Sequence, residues 1–254
     1  MIPTIDWTVP CDVVAPPGED ELPHSDGDKM ESFRHVLQMQ LLIDVLWLAW
    51  RDRTDFFVGG DMFVYFDEEQ TKGKHFRGPD VFVVTGVPKR ERKSWVLWQE
   101  GKGPEVVIEL ISESTARMDR GEKLRVYQDT LRVPQYFLYD PFTAQLEGFA
   151  LHCGRYVPMA PAADGSLSCA VLDLRLVVRE GEINGVTAPW LRWATAAGDI
   201  LPTQAELAEQ AQAEAERAQA EAEQDRRRAA EAERRVAELE ALVARLRASG
   251  GTNG

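Results

Sequence analysis

PEVVIELIS, residues 104–112, decides the fold. Val106, Val107 and Ile108 are apolar on consecutive positions instead of alternating, the pattern of a central strand covered on both faces. Glu109 therefore falls in a strand that ought to be buried, where an unpaired carboxylate costs on the order of several kcal/mol. Upstream, FRGPDVFVVTG (76–86) repeats the arrangement, with Asp80 set between Pro79 and a second apolar run. Two acidic groups on adjacent strands repel and raise one another's pKa unless a cation lies between them. A hard divalent metal, Mg2+ or Mn2+ in oxygen coordination, is the simplest such cation, with Asp80 and Glu109 as its ligands. Each carboxylate also has a structural alternative: Asp80 as a turn cap beside Pro and Gly, Glu109 as the partner of an arginine such as Arg117.

Outward from these strands the chain alternates helical and extended patterns. Phe33, Leu37, Leu41, Val45 and Leu48 form one apolar stripe, which predicts a helix over Met30–Trp50 with Glu31, His35 and Gln38 on a different face. FFVGGDMFVYF (56–66), PDVFVVTG (79–86), SWVLWQ (94–99) and YFLYDP (136–141) read as strands, and Gly59-Gly60 as a bend. A second helix is expected from about Thr115 to Leu131, capped by Ser114 or Thr115 and closed before Pro134. Alternation over 146–183 predicts further strands at the sheet edge.

The second helix carries the chemistry that the strands lack. SESTARMDRGEKLRVYQDT (112–130) places Asp119, Lys123 and Tyr127 at i, i+4 and i+8, on one helix face. Asp119 ahead of Lys123 is also an ordinary stabilising helix pair, so a surface reading stays open.

The whole chain sets limits on function. It has 254 residues, 44% of them hydrophobic, enough for one sizeable core and an appendage. Its formal net charge of -13 excludes a broadly basic DNA-gripping surface, so a nucleic-acid role must rely on local patches or metal ions. Cys11, Cys153 and Cys169 are far apart, which argues against a zinc cluster or disulfide framework. The start, MIPTIDWTVPCDVVAPP, has no basic region ahead of an apolar core, and LLIDVLWLAW (41–50) is too short to span a bilayer. A cytoplasmic protein with no membrane association is expected.

The tail is a different polymer. From Ala208 to Leu246 a heptad runs unbroken, with Ala208, Ala211, Ala215, Ala218, Ala222, Asp225, Ala229, Ala232, Val236, Leu239, Val243 and Leu246 on the a and d seam. Alanines bury little area, so Val236–Leu246 should dominate any association, and a homo-oligomer through a coiled coil is expected. A solvated single helix held by Glu and Arg pairs is the other reading. The expected organisation is an irregular lead-in over 1–29, a globular domain over 30–202, the helix over 203–247 and a disordered end over 248–254.

GPDVFVV, PEVVIELISEST, DRGEKLRVY and RVPQYFLYDP, in that order, resemble the Uma2 family of the restriction-endonuclease-like PD-(D/E)XK superfamily, over roughly residues 20–190. The resemblance implies an α/β restriction-endonuclease-like core, a central mixed sheet flanked by helices, followed here by the long C-terminal helix or coiled coil. Asp80 then stands for the motif's aspartate and Glu109 for its D/E. Both would bind the metal, and the backbone carbonyl of Leu110 would be a third ligand. The motif's lysine should follow two residues after Glu109, where this chain has Ile111. Lys123 is the candidate to supply the amine from the following helix. Gln135 stands where many relatives carry glutamate, and Glu31, His35 and Gln38 lie where superfamily members often add a site residue. The expected function is a Mg2+- or Mn2+-dependent endonuclease hydrolysing DNA, with Asp80, Glu109 and Lys123 catalytic. The alternative, favoured by Ile111, is an inactive nuclease fold that assembles partners through its coiled coil.

Overall fold

The computed structural model describes residues 16–22, 32–67, 76–112 and 118–250. It divides into two compact units, Met1–Leu201 and Pro202–Gly254. Unit one is built on a six-stranded mixed sheet in the order β1-β4-β6-β7-β8-β9, comprising β1 (Phe56–Gly59), β4 (Val81–Thr85), β6 (Val106–Leu110), β7 (Gln135–Tyr139), β8 (Leu146–His152) and β9 (Arg155–Pro158). Among the neighbouring pairs of this sheet, only β6 with β7 is parallel. A parallel pair needs a crossover connection, and residues 111–134 provide it with a helical segment. All five residues of β6 and of β7 are buried, as the consecutive apolar run in VVIEL requires.

Helix α1 (Phe33–Ala49) starts at Ser32, whose hydroxyl accepts from the His35 N–H. Its Leu41, Leu42 and Val45 join one sheet face through Val81, Val83, Val106, Ile108 and Phe137. The opposite face gathers Phe82, Val84, Val107, Ile111, Tyr127, Tyr136 and Leu138. Successive side chains of a strand alternate, so β6 sends Ile108 and Leu110 toward α1 and Val107 and Glu109 away from it.

Two expectations of the sequence require correction. SWVLWQ is extended only at β5 (Trp95–Val96), after which α2 (Leu97–Glu100) turns and ends at Gly101, with φ 69°. The Trp95 indole donates to the Lys102 carbonyl at 2.8 Å, which closes the chain into that turn. With β2 (Val64–Tyr65) and β3 (Phe76–Arg77), β5 forms a small sheet of its own, covered by Leu22. The strands expected at the main sheet's edge also divide. β8 and β9 extend it, whereas β10 (Leu167–Cys169), β11 (Leu174–Ile183) and β12 (Val186–Thr195) make a separate antiparallel sheet. The β11–β12 hairpin turns at Asn184-Gly185, both at positive φ (49° and 77°), as a tight two-residue turn requires. Trp190 and Trp193 of β12 sit in the α1 cluster, and the Trp193 indole donates to the Leu42 carbonyl.

The second unit is one α-helix, Gln204–Gly250. Thr203 and Glu206 open it as a reciprocal cap: the Thr203 hydroxyl accepts from the Glu206 N–H, and the Glu206 carboxylate accepts from the Thr203 N–H. No helix among the described residues is long and apolar enough to cross a membrane.

Candidate active site

Asp80 stands immediately before β4 and is met by β6: the Leu110 N–H donates to Asp80 Oδ2 at 2.6 Å. The neighbouring chain runs close, since a Cβ on Gly60 would fall 2.2 Å from the Asp80 carbonyl oxygen. Burial raises the Asp80 carboxyl well above the usual carboxylate range, and the charge of Glu109 adds to the shift.

Glu109 is 1% exposed and holds two donors. Lys123 Nζ lies 2.9 Å from its Oε2, and the Tyr127 hydroxyl donates to its Oε1 at 2.7 Å. Burial raises its pKa too, against the pull of Lys123. Lys123 also lies 2.9 Å from Asp119 Oδ1. Burial alone would weaken the ammonium, but Glu109, Asp119 and Asp80 outweigh it and hold its pKa above the ordinary lysine value.

Lys123 and Tyr127 reach Glu109, and Asp119 reaches Lys123, from two π-helical turns, Asp119–Lys123 and Val126–Thr130, where an α-helix was expected. Such wide turns are uncommon and recur at functional sites. The Tyr136 hydroxyl accompanies the first turn by donating to the Asp119 carbonyl at 3.1 Å. The expected start of the helix, with Ser114, Thr115 and Arg117, lies outside the described residues.

The structure thus brings Lys123 to Glu109 and within the field of Asp80. Ile111, at the motif's lysine position, is 2% exposed in the apolar cluster with Tyr127 and Val133. Gln135 is tied elsewhere, donating to the Ser168 carbonyl and accepting from the Val171 N–H. Gln38 brackets Leu191 of β12, bonding both its N–H and its carbonyl. His35, on the α1 side, has Nδ1 2.8 Å from the Ser32 hydroxyl and its ring 5.7 Å from that of Phe142. Glu31 lies outside the described residues. The sequence sets Asp119 and Tyr127 on the face of Lys123 without a role of their own, and the structure puts Asp119 against Lys123 and Tyr127 against Glu109. Their shared spacing with Lys123 was the available signal.

The donor set fits a hard divalent cation. Three carboxyl groups, Asp80, Glu109 and Asp119, act on a single ammonium, and one Asp80 oxygen has no hydrogen-bond partner among the described residues. No cluster of three or more His, Cys, Asp or Glu among the described residues is arranged to hold a metal, so side chains alone do not complete a coordination sphere. A strand residue's N–H and carbonyl point to the same side, and the Leu110 N–H points at Asp80.

The chain is thus a mixed α/β protein, with one acid just ahead of a strand of its central sheet and another inside the adjacent strand. The chain belongs to the Uma2 family, described as "Putative restriction endonuclease", whose profile matches residues 26–179. Among solved structures it is similar to "a putative nuclease belonging to DUF820 from Anabaena variabilis", at 13% identity and a TM-score of 0.43, covering 56% of this chain and 75% of that one. No curated protein matches the sequence.

Proposed function

We propose that the chain is a metal-dependent endonuclease that hydrolyses phosphodiester bonds of DNA. The observation that carries this reading is the buried Glu109–Lys123 pair beside Asp80, an ionic cluster with more carboxyl groups than cations. Asp80, Glu109 and the Leu110 carbonyl would hold Mg2+ or Mn2+. When bound, the metal supplies Lewis-acid polarisation of the phosphate and acidifies a water. The Lys123 ammonium orients the attacking water or offsets charge gathering on the phosphate oxygens. Tyr127 fixes the Glu109 carboxylate by holding one oxygen, so that the other faces the amine. Membership of the family supports nuclease chemistry for this site. The C-terminal helix, on the same proposal, joins copies of the chain.

Ile111 favours a second reading, an inactive nuclease fold used for assembly, because hydrocarbon fills the position of the motif's lysine. A cleavage assay on plasmid and single-stranded DNA, with and without Mn2+, separates the two. Nicking that requires Mn2+ and disappears in Asp80→Asn and Lys123→Ala supports the nuclease. Intact DNA under all conditions, together with no rise in melting temperature on adding Mg2+ or Mn2+, supports the inactive module.

A further inference from the structure

The C-terminal helix exposes its largest apolar residues on one side: Val236, Leu239, Leu242 and Val243 are 54%, 58%, 52% and 46% exposed. We infer that a second copy of this chain covers them in a parallel, in-register, two-stranded coiled coil, specified by charge pairs that flank the seam. The inference rests on the self-association proposed above and adds its order, direction and register.

The order follows from branching. Val236 and Val243 fall on a positions and Leu239 between them on d, and β-branched a residues with leucine at d favour two strands. The direction follows from size and charge. In a parallel pair each of these layers meets its own copy, so large residues pack on large ones. An antiparallel pair centred on the same seam would set them against alanines such as Ala218 and Ala211.

The flanking charges agree with the parallel arrangement. There each g position faces the e position five residues later in the partner. Glu221 then meets Arg226, Arg228 meets Glu233 and Arg235 meets Glu240, every pair opposite in sign and each formed twice by symmetry. Glu214 faces Gln219, so no like charges meet at these flanks. The opposing feature is Asp225, which the arrangement sets against its own copy on the seam. Within its chain that carboxylate lies 3.7 Å from the Arg228 guanidinium, which reduces the repulsion.

Charge reversal in the full-length chain tests direction separately from association. One triple variant reverses the e positions (Arg226→Glu, Glu233→Arg, Glu240→Arg), and another reverses the g positions (Glu221→Arg, Arg228→Glu, Arg235→Glu). Light scattering should give two chains for the native protein. Each triple variant alone should dissociate, its dimer Kd raised on the order of a hundredfold or more, because six exposed pairs turn repulsive at the modest worth of each. An equimolar mixture should recover a two-chain species, since each variant's charges complement the other's. Helicity by circular dichroism on the mixture checks that both variants fold. A one-chain native mass overturns self-association and this inference together. A two-chain mass retained in both triple variants keeps self-association and overturns the parallel arrangement, because antiparallel helices pair e with e and g with g, and the reversals preserve those pairings.

Discussion

The two faces of β6 handle burial by different chemistry. Toward α1, Ile108 and Leu110 enter a cluster of hydrocarbon, and two of the polar groups there are engaged by backbone: the Gln38 amide by Leu191, the Trp193 indole by Leu42. Away from α1, Val107 and Ile111 flank Glu109, and the apolar face is interrupted by Glu109, Lys123 and Asp119. A buried ion pair of this kind contributes little net stability compared with well-packed hydrocarbon of the same volume. The first face therefore holds the sheet together, and the second gives up stability at one place, where the sequence puts its paired carboxylates.

The comparison breaks most directly at Lys123. Lys123→Met should destabilise the folded chain by about 3–5 kcal/mol at neutral pH, because it leaves Glu109 without its counter-charge. The loss should shrink in acid. Glu109 has a folded pKa above its unfolded value, so it lowers stability as pH rises through that interval and is neutral in both states below it. Urea melts at several pH values check this, and a variant as stable as the native chain at pH 7 would show that the cluster carries no ionic constraint. Ile108→Ala, on the other face, should lose about 2–4 kcal/mol through the lost transfer energy and the residual cavity, with little dependence on pH. A strongly pH-dependent loss there would blur the distinction between the faces. Tyr127→Phe is milder: removing one hydrogen bond to a carboxylate should cost about 1.5 kcal/mol by the same melts, and an unchanged midpoint would make that bond dispensable.

Much of this was legible in the sequence, for identifiable reasons. Consecutive apolar residues in VVIEL marked a strand buried on both faces, and the spacing of Asp119, Lys123 and Tyr127 put three polar groups on one side of the next helix. The π turns left no pattern to read, because residues at i, i+4 and i+8 also fall near one face of an α-helix. The burial of Asp119 was equally hidden, since an i, i+4 Asp–Lys pair reads alike on a surface and beneath one. Alternation in LDLRLVVREGEI fixed which residues share a face but not which sheet the strand joins. The tryptophans of β12 settle that by docking on α1, a contact between residues about 150 apart.

The smallest expected effect has the opposite sign and tests the ionic face most sharply. Asp80→Asn keeps an acceptor for the Leu110 N–H and removes only the charge. Burial and Glu109 raise the Asp80 carboxyl in the folded chain, so between its unfolded and folded pKa the native protein retains a proton that the unfolded chain has released. Stability attributable to Asp80 therefore falls as pH rises through that window and stays low above it. The asparagine variant escapes the fall. It should match the native chain in acid, where the carboxyl is protonated in both folded and unfolded states, and be the more stable of the two at pH 8 in metal-free buffer. Adding Mg2+ or Mn2+ should reverse the order, because the native carboxylate gains a cation that the amide binds poorly. An Asp80→Asn chain that is less stable at pH 8 without metal would identify Asp80 as a structural partner of the β6 backbone, and the metal reading would lose one of its two carboxylates.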